Sequence, residues 1–145
     1  SAASVTFSSI PATYRDLVLV FSGTNATGAQ SVRYRFNSDT GTTYNWVRMN
    51  GDGSATSSFS VADTTSFISQ QSNTTVTNHI IQVMDYSATD KHKSVLLRGN
   101  DASARTQAVA GRWASTSAVT SITVDGSNSY NFDAGSSFHL YGIVA

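Results

Sequence analysis

Not one of the 145 residues is a glutamate, and charged residues make up only 12% of the chain, about half the ~25% usual in soluble domains. Helices that face water draw on Glu, Lys and Gln for their exposed positions. This chain has no Glu and two lysines, Lys91 and Lys93. Its polar residues are instead mainly Ser and Thr, and its apolar ones are rich in Val, Ile, Phe and Tyr, which fit a pleated, half-buried surface. An all-β fold is therefore expected before any periodicity is read. With 39% hydrophobic residues, including seven Phe, six Tyr and two Trp, there is enough material for one core in a chain of this length.

Periodicity agrees. Val5 and Phe7 open a short strand that Pro11 ends, because proline has no amide to give a ladder. Residues 17–21 (Leu-Val-Leu-Val-Phe) form a continuous apolar run, expected as a central strand covered on both faces. Val32, Tyr34 and Phe36 alternate with Arg33, Arg35 and Asn37, a half-buried strand with two arginines outward. Further strands are expected over 44–49, 76–86, 93–98, 107–114, 119–124 and 138–144. Residues 55–58 read as loop, and 59–71 fits neither period, so a helical turn is compatible there. Turn chemistry falls between these segments, as in Asn37-Ser38-Asp39-Thr40-Gly41, Asn50-Gly51-Asp52-Gly53 and Asp125-Gly126-Ser127-Asn128. About 8–10 strands with turns every 8–15 residues predict an antiparallel β-sandwich of jelly-roll type. No repeat or linker divides it, so residues 1–145 are expected to form a single domain.

Several chemistries are not visible. Without cysteine there are no disulfides, no thiolate metal ligands and no thiol nucleophile. Zero formal net charge and the lack of Lys/Arg clusters argue against nucleic acid as a partner. No apolar run approaches the ~20 residues of a helical membrane span. His79, His92 and His139 have no partner at metal-binding spacing, which points to structural, hydrogen-bonded roles. Most aspartates sit in turns, where they bond their own backbone, and no carboxylate pair suited to glycoside hydrolysis stands out. No catalytic residue, metal ligand or cofactor site is expected. Asn25-Ala26-Thr27 and Asn73-Thr74-Thr75 match the glycosylation sequon, which is frequent by chance in a Thr-rich chain.

Arginine and the aromatics remain. Seven arginines to two lysines is the bias of protein interfaces, where Arg and aromatics are enriched and Lys is depleted. Arg33 and Arg35 lie two apart, about 7 Å along one strand face, where they could meet partner carboxylates. Trp46 and Arg48 share a face of the next strand. These four are the interface candidates. Trp46 and Trp113 suit a core position first, since aromatics are mostly buried, and a sugar-stacking platform second.

The chain also resembles a group of small bacteriophage structural proteins. Trp113-Ala114-Ser115-Thr116-Ser117-Ala118-Val119-Thr120-Ser121-Ile122 matches their W-x-S-T-x-A-(I/V)-T-S-I run, and Phe138-His139-Leu140-Tyr141-Gly142-Ile143 their F-x-L-Y-G-I ending. Ile10-Pro11-Ala12-Thr13-Tyr14 is similar to their I-P-x-T-Y corner. Arg35-Phe36-Asn37-Ser38-Asp39-Thr40-Gly41-Thr42-Thr43-Tyr44 resembles their R-F-N-x-D-T-G-x-x-Y turn, and Lys93-Ser94 their mid-chain strand. The resemblance implies a non-enzymatic virion protein: a jelly-roll capsid decoration (cement) protein on the outer capsid surface. It would bind the major capsid protein lattice as a homo-oligomer, a trimer, without cofactor, nucleic acid or membrane. The alternative it leaves is a tail-fibre or receptor-binding domain that recognises host surface glycans. A polysaccharide depolymerase is the third reading, and lacks a visible acid/base pair.

Overall fold

The computed structural model of the chain describes residues 1–25, 30–71, 75–100 and 105–144. Both sequons lie partly outside these residues. Eleven strands and one short 3-10 turn, Ser127–Ser129, form the described fold. The strands are β1 Ser4–Phe7, β2 Asp16–Gly23, β3 Gln30–Phe36, β4 Tyr44–Gly51, β5 Thr56–Thr64, β6 Phe67–Gln71, β7 Thr77–Val83, β8 Lys93–Asn100, β9 Thr106–Trp113, β10 Ile122–Gly126 and β11 Ser137–Ile143.

They make two antiparallel sheets. The smaller runs β1-β10-β3-β6, and the larger runs β11-β2-β7-β8-β9-β4-β5. The chain crosses repeatedly between the two, and the result is an all-β, jelly-roll-like sandwich. Between the sheets lie two groups of rings. Phe36 packs on Phe67 at 5.7 Å and edge-on to Trp113 at 5.6 Å, with Tyr44 edge-on to Phe67 at 5.1 Å. At the other end Phe21, Phe132 and Phe138 meet at 5.0–5.4 Å. Such tilted and edge-to-face arrangements suit the ring quadrupoles. Gly111 on β9 belongs to this packing, because a Cβ there would run into the Phe67 ring.

Four expectations change. Residues 56–64, read as loop and then as ambiguous, form β5. This edge strand is exposed along almost its whole length, so its sequence carries no buried alternation to read. The rest of the ambiguous stretch is β6, with no helical turn. The strand expected over 119–124 starts only at Ile122; Val119 is buried in the preceding loop, its amide donating to Tyr86 O at 2.8 Å. The run over 17–21 is central but faces the core on one side only. Leu17, Leu19 and Phe21 are buried, while Val18 and Val20 point out of the sandwich and are half-buried by neighbouring strands.

Candidate functional site

The two best-matched sequence motifs meet in space and form a structural clamp. Asn37 and Ser38 sit at φ 51° and 55°, in the left-handed region that Asn tolerates better than most residues. From that turn the Asn37 amide crosses to the 118–121 segment. Its Nδ2 donates to Ala118 O at 2.7 Å, and its Oδ1 accepts from Thr120 N at 2.8 Å, Thr120 Oγ1 at 3.2 Å and Ser121 N at 3.1 Å. Asp39 does the same for Trp113: its Oδ2 accepts from Trp113 Nε1 and from Thr43 Oγ1, both at 2.7 Å, and its Oδ1 from Gly41 N at 2.8 Å. Partial burial alone would raise the Asp39 pKa, but the Thr43, Trp113 and Gly41 donors outweigh it and hold the carboxyl below the usual aspartate range. The motif residues thus explain why the corner is rigid.

Other polar side chains are similarly occupied. His79 is buried, with Nδ1 at 2.7 Å from Tyr34 Oη and 2.8 Å from Ser69 Oγ. Lys93 is buried too, and its ammonium donates to the carbonyls of Ala88 at 2.6 Å and Lys91 at 2.9 Å. Among the described residues no group of three His, Asp, Glu or Cys side chains could hold a metal ion.

The four interface candidates separate into two places. Arg33 and Arg35 point outward from the smaller sheet, and both close on Asp125 of β10. Arg33 Nε donates to Oδ1 at 2.7 Å, Arg35 Nη1 to Oδ2 at 2.5 Å. One carboxylate takes both cations because Arg33 and Asp125 are register partners and Arg35 pairs with the adjacent Thr123. Trp46 and Arg48 instead face inward from β4. Trp46 is 5% exposed and donates from Nε1 to Ser66 O at 3.1 Å. Trp113 is buried on Asp39, so neither indole offers a sugar-stacking face.

Arg48 occupies a pocket. It is 8% exposed, its guanidinium lies 4.2 Å from the Phe59 ring centroid, and it belongs to none of the ion pairs among the described residues. Its Nε is buried without a partner, as is Asn50 Oδ1. Burial first, then the like charge of Arg105, lower its pKa from the ordinary arginine value. An uncompensated buried cation costs on the order of several kcal/mol, and a ring contact of ~1–2 kcal/mol offsets only part. These groups line a cavity of about 260 Å³ with Asp52, Ala55, Thr56 and Ser57. It forms where β5 carries the larger sheet beyond the smaller one.

Sequence reading missed a second feature entirely. The outer face of the larger sheet carries two apolar-rich rows across six of its seven strands. One row, in register, is Tyr141, Val18, Gln82, Leu96, Ala110 and Val47. The next is His139, Val20, Ile80, Arg98, Ala108 and Met49. Val47, Met49, Leu96 and Tyr141 are 43–53% exposed. The smaller sheet's outer face carries Ser4, Thr6, Arg33, Arg35, Thr123 and Asp125 instead, which is ordinary for a solvated sheet. The available signal was that β2, β4 and β8 place apolar residues on both faces, a pattern that reads as full burial when no layer order is known.

No protein-family model matches the chain, and no curated protein matches its sequence. Among solved structures it is similar to CG-16, a homodimeric agglutinin from chicken liver, at 13% identity over 94% of this chain and 99% of that one, with a TM-score of 0.41. A tetrameric galectin from the ball sponge Cinachyrella sp. aligns at 9% identity over 97% and 99% of the two chains, TM-score 0.40. Sheep galectin-11, in complex with glycerol, aligns at 8% identity over 95% and 96%, TM-score 0.41. Likenesses this distant carry no weight on what the chain binds.

Proposed function

We propose that this chain is a non-enzymatic structural protein of a bacteriophage particle, a decoration protein that binds the major capsid protein lattice on the outer capsid surface as a homo-oligomer. The observation that carries the assembly role is the apolar outer face of the larger sheet. Two rows, each covering ~7 Å of strand length, across six strands at ~4.8 Å spacing give an apolar-rich band of roughly 400 Å². That is about half the ~800 Å² each partner contributes to a standard interface, and it falls in the ~300–600 Å² range of the largest patches on monomers, which are often functional. A flat face of this kind suits another protein surface better than a small ligand, which needs concavity. The virion setting is supported by the motifs that build the corner clamp.

The mechanism is mass action. A chain that binds assembled shell and not free coat subunits stabilises each site by RT ln(1 + [L]/Kd). Two measurements test this. Purified particles should contain the chain in fixed ratio to the coat subunit, in lattice numbers, and a few copies at one vertex would end the decoration reading. Undecorated shells should bind the wild-type chain, while Met49→Lys/Leu96→Lys, which changes only outward side chains, should fold normally and bind far less. In the alternative, a tail-fibre or receptor-binding domain recognising host surface glycans, the platform would lie elsewhere than Trp46, because that ring is buried.

A further inference from the structure

The pocket around Arg48 lies on the inner face of the larger sheet, opposite the face proposed to meet the shell. Two buried polar atoms from neighbouring positions of β4, Arg48 Nε and Asn50 Oδ1, lack partners there. Buried polar atoms in native proteins are nearly always satisfied, and two of the four orphans among the described residues, the others being Arg35 Nε and Ser66 Oγ, share this one cavity, which points to a ligand that completes them. The guanidinium lies over the Phe59 ring, 4.2 Å from its centroid, and its planar fork matches a carboxylate. Arg105 lines the same wall.

The rest of the lining narrows the class. Asp52 is a carboxylate, one oxygen of which accepts from Ser54 N at 3.0 Å and Ala55 N at 2.7 Å. It would repel a second anionic group and accept from hydroxyls. The Thr56 and Ser57 hydroxyls both donate and accept. A cavity of about 260 Å³ has room for a sugar-sized ring and is too roomy for one acidic side chain to fill.

We infer that this pocket binds a sugar acid, a hydroxylated ring carrying one carboxylate. The carboxylate sits on Arg48, and the ring hydroxyls on Asn50, Asp52 and Ser57. The site is independent of shell binding and stands or falls separately from it.

Calorimetric titration of the folded chain with D-glucuronate, D-glucose, acetate and N-acetyl-aspartate amide tests it. Glucuronate should bind at least about tenfold more tightly than the other three, since glucose lacks the charge-assisted contact and the two simple carboxylates lack the ring hydroxyls. Arg48→Met should abolish that binding without lowering the melting temperature, because it replaces an unpaired buried charge with an apolar chain of similar length. Asn50→Ala should weaken it and keep the fold. Three results would overturn the inference: no heat with glucuronate, acetate or the aspartate amide binding as tightly as glucuronate, or Arg48→Met unfolding the chain. The second would give the pocket to a protein carboxylate, and the third would make Arg48 a stability residue.

Discussion

Asn37 joins two segments more than 80 residues apart, and its removal should be expensive for a surface-proximal side chain. Asn37→Ala deletes four hydrogen bonds: one donated to Ala118 O, and three accepted from Thr120 and Ser121. Each is worth ~0.5–1.5 kcal/mol net, and the Thr120 pair, being exposed, belongs at the low end. The side-chain loss is therefore about 2–3 kcal/mol. Backbone adds to it, because position 37 sits at φ 51°, where alanine costs roughly 1 kcal/mol more than asparagine or glycine. Asn37→Ala should cost about 3–4 kcal/mol, and Asn37→Gly, which loses the bonds but not the turn, about 2–3 kcal/mol. At ~2–4 °C per kcal/mol for a chain of this size, the alanine variant should melt ~6–16 °C lower. Urea unfolding followed by tryptophan fluorescence measures both, since Trp113 is anchored at this corner. An alanine variant within about 2 °C of wild type would refute the clamp, and a glycine variant no better than alanine would refute the left-handed term.

Three further expectations follow from the same contacts. Leu19→Asp should prevent soluble folding, because Leu19 is 1% exposed and paired between Leu140 and Ile81, so the charge would be buried without a partner; a soluble, folded variant would put β2 at an edge. Arg33→Ser/Arg35→Ser should cost about 1–3 kcal/mol by stranding the Asp125 carboxylate, which is 18% exposed, and adding Asp125→Ser should recover most of it in a denaturation cycle. Asp39 titrates lower in the folded chain than in the unfolded one, so its contribution is fully present above the unfolded value of ~3.9 and is lost as pH falls through the folded value. Acid unfolding of wild type should therefore be steeper below pH ~4 than that of Asp39→Asn, and identical slopes would remove Asp39 from the acid transition.

Fold class was legible in the chain because it depends on local and compositional facts. A sequence without glutamate, rich in β-branched and aromatic residues, cannot cover helices with water-compatible side chains, and its alternation marked most strands directly. Residues 32–36 announced their inward positions, since Val32, Tyr34 and Phe36 are all buried, whereas the strand expected over 76–86 stops at Val83 and its alternation did not say which face turns inward. β5 was hidden because only Phe59 and Val61 of this exposed edge strand turn inward, too short an alternation to stand out. What each side chain meets was decided only by the tertiary structure. Alternation says that Trp46 and Arg48 share a face, but not whether that face looks into the sandwich or out of it, and pairing across sheets fixes that choice. The same ignorance concealed the apolar surface made by Val18, Val47 and Leu96, which in one dimension is indistinguishable from core. Arg33 and Arg35 looked available to a partner until the register with β10 brought Asp125 between them. Local pattern is written by the backbone's period of two; partnership is written by register and layer order, which bring together residues about 90 positions apart and leave no periodic trace.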